Sequence, residues 1–378
     1  MAELASNPKR KYRFPYIIKF ESRLTDVPWW MSALLSLGAI VVALLLGAIL
    51  LAAVGGNPWA VYVHIAKASF GSLGQFSDTM VKAIPLILVG LACSIAFRMK
   101  LWNIGAEGQF FVGALGASAV VLIPVLPETS PQWLFIIVMM IAGILMGAIW
   151  GFIPGYLKAK FNVNEVITTL MMNYIAIALT NFFIYGVWSE AGFQMSKVFP
   201  KAAWLPRLLD YSSQFPIFRG LTTHFGLVLA LIATVIIWFI MYKSKWGYEI
   251  RLIGDNPRAA EYAGISIRKN IVLVLMVSGA LAGLAGMSEI SGVVHRLQGS
   301  ISPGYGFTGI IVAWLAKLNP FLVVIVSILF GALILAGREI QPSGVPKMIQ
   351  GIILVCLIAS DFFLRYRLSI VKREEEDK

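Results

Sequence analysis

The sequence predicts an all-α membrane protein whose helices cross a bilayer many times. Three observations support this fold class. Only 13% of the residues are charged, whereas soluble domains carry about a quarter. The mean hydropathy is +0.80. Apolar runs close to the roughly 20 residues that span a hydrocarbon core recur along the whole sequence.

Ten apolar runs predict a polytopic bundle of about ten transmembrane helices. They cover residues 33–54, 82–97, 104–125, 134–155, 165–187, 223–242, 270–289, 306–318, 320–336 and 347–364. Lys and Arg cluster beside these runs, and ten spans with both termini in the cytoplasm place most of them on the inner side. Membrane topology thus explains the net charge of +12, so nucleic acid is not an expected partner.

This topology divides the chain into three regions. A basic cytoplasmic segment covers 1–32, the transmembrane domain covers 33–364, and a charged cytoplasmic tail covers 365–378. The domain contains a long external connection over 188–222 and a long cytoplasmic one over 243–269. Apolar residues near helical spacing predict a short helix on the outer surface within the external connection. These residues are Trp204, Leu205, Leu208 and Leu209.

Ten spans can also divide as five plus five. An odd number per half makes the halves antiparallel, which is the inverted repeat found in many transporters. NIGAEGQFFVGALGA (103–117) and SPGYGFTGIIVAWLA (302–316) each lead from a glycine-broken polar stretch into a helix rich in small residues. Because they start from opposite sides of the predicted membrane, an inverted repeat is possible.

The segment NIGAEGQ (103–109) places polar residues at the start of a span. Gly105 and Gly108 reduce the cost of non-helical backbone. If the segment is unwound, the apolar residues that remain are too few, at 1.5 Å each, to cross the hydrocarbon core. We therefore expect a broken helix start inside the membrane, buried in protein or lining a wet cavity. Its candidate pathway residues are Asn103, Glu107 and Gln109.

Glu107 is the residue of this segment that most suggests a function, because an acidic side chain inside a membrane is costly. Two interpretations stay open. The carboxylate contacts the transported molecule, or it braces the helix start by pairing with Arg98 or Lys100.

Two further polar sets are candidates for the same pathway. Thr169 and Asn173 share one helix face with Glu165, and a polar stripe on a membrane helix must face protein or water. The stretch GYGFTGIIVAWLAKLNP (304–320) supplies aromatic rings and a hydroxyl that suit a flat, hydroxylated molecule. Its candidates are Tyr305, Phe307, Thr308 and Trp314. The alternatives are hydrogen bonding between helices for the stripe, and ordinary packing with an interfacial aromatic belt for the stretch.

The cytoplasmic connection contains a short, sharply bounded helix. Asp255, Asn256 and Pro257 form a helix-start signal, and Gly264 ends the helix after one or two turns. Such an element favours docking to a partner over a plain linker.

The sequence lacks the signatures of a catalytic chain. It contains no G-x-x-x-x-G-K-[ST] motif for ATP, and no nucleophile elbow. Its three histidines lie in separate segments without neighbouring cysteines, so we expect no metal site. We therefore expect a transport subunit that is not itself an enzyme and holds no cofactor.

Four ordered motifs resemble the ABC-importer permeases of the branched-chain amino acid and ribose type, in their simple-sugar and purine-nucleoside (guanosine) subgroup. The motifs are LWNIGAEGQFFVGALGA, NEVITTLMMNYIA, GYEIRLIGDNPRAAEYAGISIRK and GYGFTGIIVAWLAKLNP, within about residues 80 to 365.

The resemblance implies an assembly. The expected partners are a second, homologous permease in a heterodimer, a cytoplasmic ATPase that binds ATP and Mg, a substrate-binding surface lipoprotein and the membrane lipid. The helix near 255–265 resembles the coupling helix that enters a groove on the ATPase. The corresponding coupling residues here are Asp255, Asn256, Arg258, Ala259, Ala260, Glu261 and Gly264.

The expected function is therefore that of a multi-pass permease subunit in a bacterial plasma membrane, importing purine nucleosides such as guanosine by alternating access. Import of ribose-like sugars or riboflavin by the same architecture is one alternative. A proton-coupled secondary transporter, in which Glu107 carries the proton, is an alternative of a different class.

Overall fold

The computed structural model describes residues 16–22, 29–53, 55–127, 129–337 and 344–372, and these residues are almost entirely helical. The basic residues Lys9 to Arg13 of the predicted leader and the last six residues of the predicted tail lie outside them. The helices are α1 (Trp29–Ala53), α2 (Pro58–Phe70), α3 (Leu73–Arg98), α4 (Ala106–Leu122), α5 (Gln132–Phe161), α6 (Glu165–Tyr185), α7 (Gly226–Lys243), α8 (Lys245–Asp255), α9 (Pro257–Tyr262), α10 (Ile267–Glu289), α11 (Tyr305–Leu315), α12 (Pro320–Ala336) and α13 (Val345–Arg365).

Each of the ten predicted spans coincides with a helix, which confirms the all-α membrane bundle. Within the described ranges, five helices are long and apolar enough to cross a membrane alone, namely α3, α5, α6, α7 and α10 with the π-helical turn that extends it to Val294. The count rises to six if α1 and α2 form one broken span. The shorter apolar helices are Ala106–Leu122, Tyr305–Leu315, Pro320–Ala336 and Val345–Ser360.

Side-chain caps fix where several helices start. The carboxamide oxygen of Asn164 accepts the N–H groups of Val166 and Ile167 at the start of α6. Asn319 acts in the same way at α12, where Pro320 occupies the first helical position. These residues satisfy backbone donors that the first turn leaves without partners.

The chain divides into two compact units. One contains residues 1–50 and 351–378, and the other contains residues 51–350. In the first unit, strand β1 (Tyr16–Ser22) pairs antiparallel with β2 (Tyr366–Lys372). This strand pair was not predicted, since both segments read as charged cytoplasmic ends.

In the second unit, each of the long helices α3 and α10 packs against the two helices that follow the other one in the chain. α3 packs against α11 and α12, while α10 packs against α4 and α5. The runs α3–α5 and α10–α12 correspond to spans two to four and seven to nine of the predicted five-plus-five division. Each run thus places its long first helix against the second and third helices of the other. This reciprocal pairing fits two related halves, and their inverted orientation stays a prediction.

Small residues allow these helices to approach closely. A Cβ atom added to Gly147 of α5 would overlap the Gly279 carbonyl of α10, and one on Gly283 would overlap the Gly143 carbonyl. Because lipid tails are as apolar as side chains, close backbone packing of this kind stabilises helix pairs in membranes. The apolar stretch of α3 that is long enough to cross the membrane is completely buried inside the protein.

Two connections differ from the prediction. The expected surface helix in 188–222 is absent from that stretch, which instead forms three 3₁₀ turns at 201–203, 208–211 and 216–218. Prolines at 200, 206 and 216 break the segment before an α-helix can propagate. The connection 243–269 contains the predicted short helix, α9, and also a second helix, α8, that was not predicted.

Candidate functional site

The break before α4 is a buried junction between α4 and α6. Residues 101–103 are not helical, and α4 begins at Ala106. A Cβ atom on Gly105 would lie 2.9 Å from the Thr169 Cβ, and one on Gly108 would lie 2.9 Å from the Asn173 Cα. Glycine at both positions therefore lets the break and the first turn of α4 lie directly against α6.

The polar stripe of α6 binds this backbone. The Asn173 side chain accepts the Gly108 N–H at 2.7 Å and donates to the Ile104 carbonyl at 2.8 Å. The Thr169 hydroxyl accepts the Ile104 N–H at 3.2 Å. Both side chains are buried. The sequence prediction that the stripe faces protein is confirmed, and its polar groups satisfy the backbone that the break exposes.

Asn103 and Gln109 connect the start of α4 to α10 at this junction. The Asn103 amide donates to the Gln109 Oε1 at 2.9 Å and to the Ser278 hydroxyl at 2.8 Å. Ser278 in turn donates to the Ala92 carbonyl of α3 at 2.6 Å. The side chains of Asn103 and Gln109 are buried. These bonds connect the α4 start to both long helices.

Glu107 joins the two short helices. Its carboxylate accepts the backbone N–H of Gly306 at 2.5 Å, in the first turn of α11. An anion beside a helix N-terminus is favoured by the helix dipole and the unpaired N–H groups there. Glu107 therefore connects α4 with the start of α11, and its contact with the transported molecule stays a prediction. Its partner is the start of α11, whereas the prediction named Arg98 or Lys100.

Gly306 is required at this meeting point. A Cβ atom there would lie 2.6 Å from the Glu107 Cβ and would overlap the Glu107 backbone. The polar starts of the two matching motifs, 103–109 and 302–306, thus meet inside the protein.

A buried ion pair lies beside this meeting point and was missed by sequence reasoning. The Lys82 ammonium of α3 is 3.2 Å from the Glu289 carboxylate of α10 and donates to the Tyr305 hydroxyl at 3.3 Å. Lys82 and Glu289 are 4% and 3% exposed. Lys82 begins one predicted span and Glu289 ends another, and both positions lie on the same predicted side of the membrane. This shared position was the sequence signal that could have indicated the ion pair. Ionisable groups buried in a membrane protein mark functional positions.

The candidates of α11 lie in three different environments. Tyr305 is fully buried, with its ring centroid 5.8 Å from that of Phe110. Phe307 is 45% exposed. Thr308 donates to the Gln350 carboxamide at 3.1 Å. Trp314 stacks on Trp102 with centroids 5.6 Å apart, nine residues along the helix from Tyr305. Tyr305, Phe307 and Trp314 therefore do not form one continuous stacking wall.

The 188–222 segment covers the end of α10. The Arg207 guanidinium donates to the Gly292 carbonyl at 2.8 Å and hydrogen-bonds His295 Nε2. The Trp204 ring stacks on the His295 ring with centroids 3.7 Å apart. Burial, and secondly the positive charge of Arg207, lowers the pKa of His295 to about 4. The neutral imidazole is therefore the form that fits beneath this segment.

The short helix α9 has one buried anchor and an exposed face. Asn256 accepts the Ala259 N–H at 3.1 Å and starts the helix, and Gly264 follows it with a φ of +73°. Ala260 is fully buried, whereas Tyr262 is 94% exposed. The exposed members of the predicted coupling set are Asp255, Asn256, Arg258, Glu261 and Gly264. The predicted cap and helix end are confirmed.

These features define a polytopic membrane transport protein. Two short helices with non-helical starts meet inside a helix bundle, beside a buried ion pair, and broken helices of this kind build the central sites of membrane transporters.

Comparison with known proteins identifies the family. The family described as "Branched-chain amino acid transport system / permease component" matches residues 75–358. The chain is 36% identical to the guanosine ABC transporter permease protein NupP of Bacillus subtilis, over 90% of this chain and 97% of that protein. It is 32% identical to a glucose ABC transporter permease protein of Haloferax volcanii, over 91% and 92% of the two chains. It is 33% identical to the nucleoside ABC transporter permease protein NupB of Lactococcus lactis, over 89% and 92%.

The chain belongs to this permease family. It is therefore an integral membrane permease subunit of the ABC transporter type and not an enzyme.

Proposed function

We propose that this permease imports purine nucleosides, with guanosine as the preferred cargo. The observation that carries the proposal is the near full-length similarity to a guanosine permease, at 36% identity over 351 residues. A second nucleoside permease is similar over nearly the same length. The riboflavin and proton-coupled alternatives find no counterpart among these relatives.

The proposed assembly contains two different permeases, an ATPase and a binding lipoprotein. Bacillus subtilis has a second permease named for guanosine, NupQ, which is 28% identical to this chain over 258 residues. Two permeases named for one cargo in one organism support a heterodimer. ATP and Mg bind to the ATPase, and the assembly lies in the plasma membrane.

The proposed coupling site is the exposed face of α9. α9 follows α8 directly, and a Cβ atom on Gly254 of α8 would overlap the Arg98 carbonyl at the end of α3. Arg98 comes only five residues before Asn103 and the α4 break. Movement of α9 by the ATPase is therefore transmitted through rigid backbone contacts to the junction of α4, α6 and α10.

In the proposed transport cycle, rigid groups of helices rock around the contact between α4 and α11. Glu107 and Gly306 hold the two helix starts together in the described state. The buried pair Lys82–Glu289 connects α3 with α10 beside that contact. Asn103, Gln109, Thr169 and Asn173 support the backbone along the path, because their polar groups are bonded to it or to one another.

A cargo assay tests the proposal. Cells without their own nucleoside importers receive this permease with its cognate permease, ATPase and lipoprotein, and uptake of radiolabelled guanosine is measured. We expect saturable uptake that unlabelled guanosine and inosine suppress and glucose does not. Uptake that glucose suppresses and inosine does not would contradict a nucleoside cargo.

Glucose is the second candidate cargo. The 32% identity to a glucose permease over 92% of that protein favours it. Uptake of labelled glucose by the same cells separates the two candidates, because we expect the permease to import either guanosine or glucose and not both.

A further inference from the structure

We propose that a polar cavity beneath the 188–222 segment binds a neutral sugar through two adjacent hydroxyl groups, and is the receiving site for the ribose of a nucleoside. The choice of ribose rests on the proposed function. The cavity has a volume of about 310 Å³ and lies between α3, α12, the 188–222 segment and the π-helical turn.

The size of the cavity suits a sugar. Sites for small molecules generally measure about 300–1,000 Å³, so this cavity is near the lower limit. Its polar wall is formed by Asp78, Lys82, Arg207, Thr222 and Gly292. Val81, Val293 and Leu335 are apolar members of the wall, and none of the described lining residues supplies an aromatic ring for a base to stack on. The lining therefore favours the sugar over the purine.

The charges of the wall favour a neutral ligand. The Lys82 ammonium is compensated by Glu289 at 3.2 Å. Among the described lining residues, the remaining charges are one cation, Arg207, and one anion, Asp78. Within the described residues Asp78 forms no ion pair, and its Oδ1 accepts only the Thr222 hydroxyl, at 2.5 Å. A site with balanced charge does not favour anions, which require net positive charge.

The hydrogen-bonding groups match adjacent hydroxyls. An ionised carboxylate only accepts, and a guanidinium only donates. Each ligand hydroxyl can donate to Asp78 and accept from Arg207, while the Thr222 hydroxyl, whose proton goes to Asp78, holds that carboxylate in place. Lys82 also donates to Tyr305, so one residue of the cavity wall belongs to the cluster beside the contact of α4 and α11. A sugar bound here would lie at one end of the proposed path.

Direct binding to the purified full-length permease tests this inference without transport. The probe is methyl β-D-ribofuranoside at millimolar concentration, detected by saturation-transfer NMR. The comparison ligands are its 2,3-dideoxy analogue and inorganic phosphate. We expect binding of the ribofuranoside at least about tenfold stronger than of the dideoxy analogue, because hydrogen bonds to charged groups are the stronger class.

The variants D78N and T222V should each reduce the ratio of ribofuranoside affinity to dideoxy-analogue affinity towards one. Glu190→Gln removes a carboxylate from the same segment but outside the cavity and is the matched control, for which we expect the wild-type preference. Equal binding of both sugars by the wild type, an unchanged preference in D78N and T222V, or binding of phosphate alone would overturn the inference.

The outcome is separate from that of the cargo assay. Ribofuranoside binding that depends on Asp78 would support this site even if the cells accumulate glucose. Guanosine uptake without such binding would overturn the site and leave the proposed cargo standing.

Discussion

Replacing Gly306 with alanine tests the contact between α4 and α11. The new Cβ atom would lie 2.6 Å from the Glu107 Cβ and overlap its backbone, whereas ordinary contacts begin at 3.4 Å. The obstructing atoms belong largely to the backbone, so no side-chain rotation relieves them. The two helix starts must move apart by about 1 Å, as judged from typical contact distances.

The energetic cost has two parts. Overpacking of a buried site costs about 1–3 kcal/mol. Separation also lengthens the bond from the Gly306 N–H to the Glu107 carboxylate, now 2.5 Å, beyond the roughly 3.2 Å limit of a hydrogen bond. Loss of a bond to a charged group adds about 1.5–3 kcal/mol. We expect G306A to lower the free energy of unfolding by about 2.5–6 kcal/mol in total.

Thermal unfolding in detergent measures this effect. For a chain of this length, such a loss corresponds to a fall in Tm of about 5 °C. Gly351→Ala is the matched control, because a Cβ atom at Gly351 meets nothing within 4 Å. Equal Tm values for the two variants would refute the contact between the helix starts.

Three further predictions address the buried pair, the coupling helix and the histidine. Lys82→Met removes the ammonium that lies 3.2 Å from the buried Glu289 carboxylate and should cost about 3–5 kcal/mol, measured by unfolding in detergent, while a double variant that also carries Glu289→Leu should recover part of that loss. Arg258→Glu should abolish co-purification of the ATPase while membrane insertion stays normal, and the control Lys245→Glu, on α8, should retain the ATPase. Because the pKa of His295 is lowered to about 4 in the folded protein, its contribution to stability is complete above about pH 6.5 and is lost as the pH falls towards 4. His295→Gln should flatten the dependence of Tm on pH in that range, and an unchanged slope would contradict the buried neutral imidazole.

The fold could be predicted because membrane spans are a matter of length and hydropathy. The ten apolar runs identified ten of the helices, but not α2 or α8. A break before α4 followed from the glycines and from the length of what remained, although the predicted unwinding over 103–109 was too long, since α4 begins at Ala106. The start of α3 was misplaced, at 82 instead of Leu73, because Asp78 and Lys82 reduce local hydropathy. High hydropathy indicates a helix that contacts lipid, whereas α3 is surrounded by protein. Hydropathy alone therefore could not locate its start.

The site was predicted in part. Thr169 and Asn173 were placed on one face by helical spacing, which is a local property. The partners of Glu107 and Lys82 lie about 200 residues away in the chain, and local spacing carries no information about such pairs. The stacking wall on α11 was predicted from residue type alone, whereas the helix directs Tyr305 and Trp314 to different neighbours.

Uptake of guanosine into proteoliposomes that contain the complete assembly tests the central claim most directly. In one set of vesicles, ATP is enclosed on the side of the membrane on which the ATPase lies. In a second set, a proton gradient is imposed without ATP. We predict accumulation of guanosine with ATP and none with the proton gradient alone. Accumulation driven by the proton gradient without ATP, or no guanosine uptake in the presence of ATP and the lipoprotein, would contradict an ATP-driven nucleoside permease.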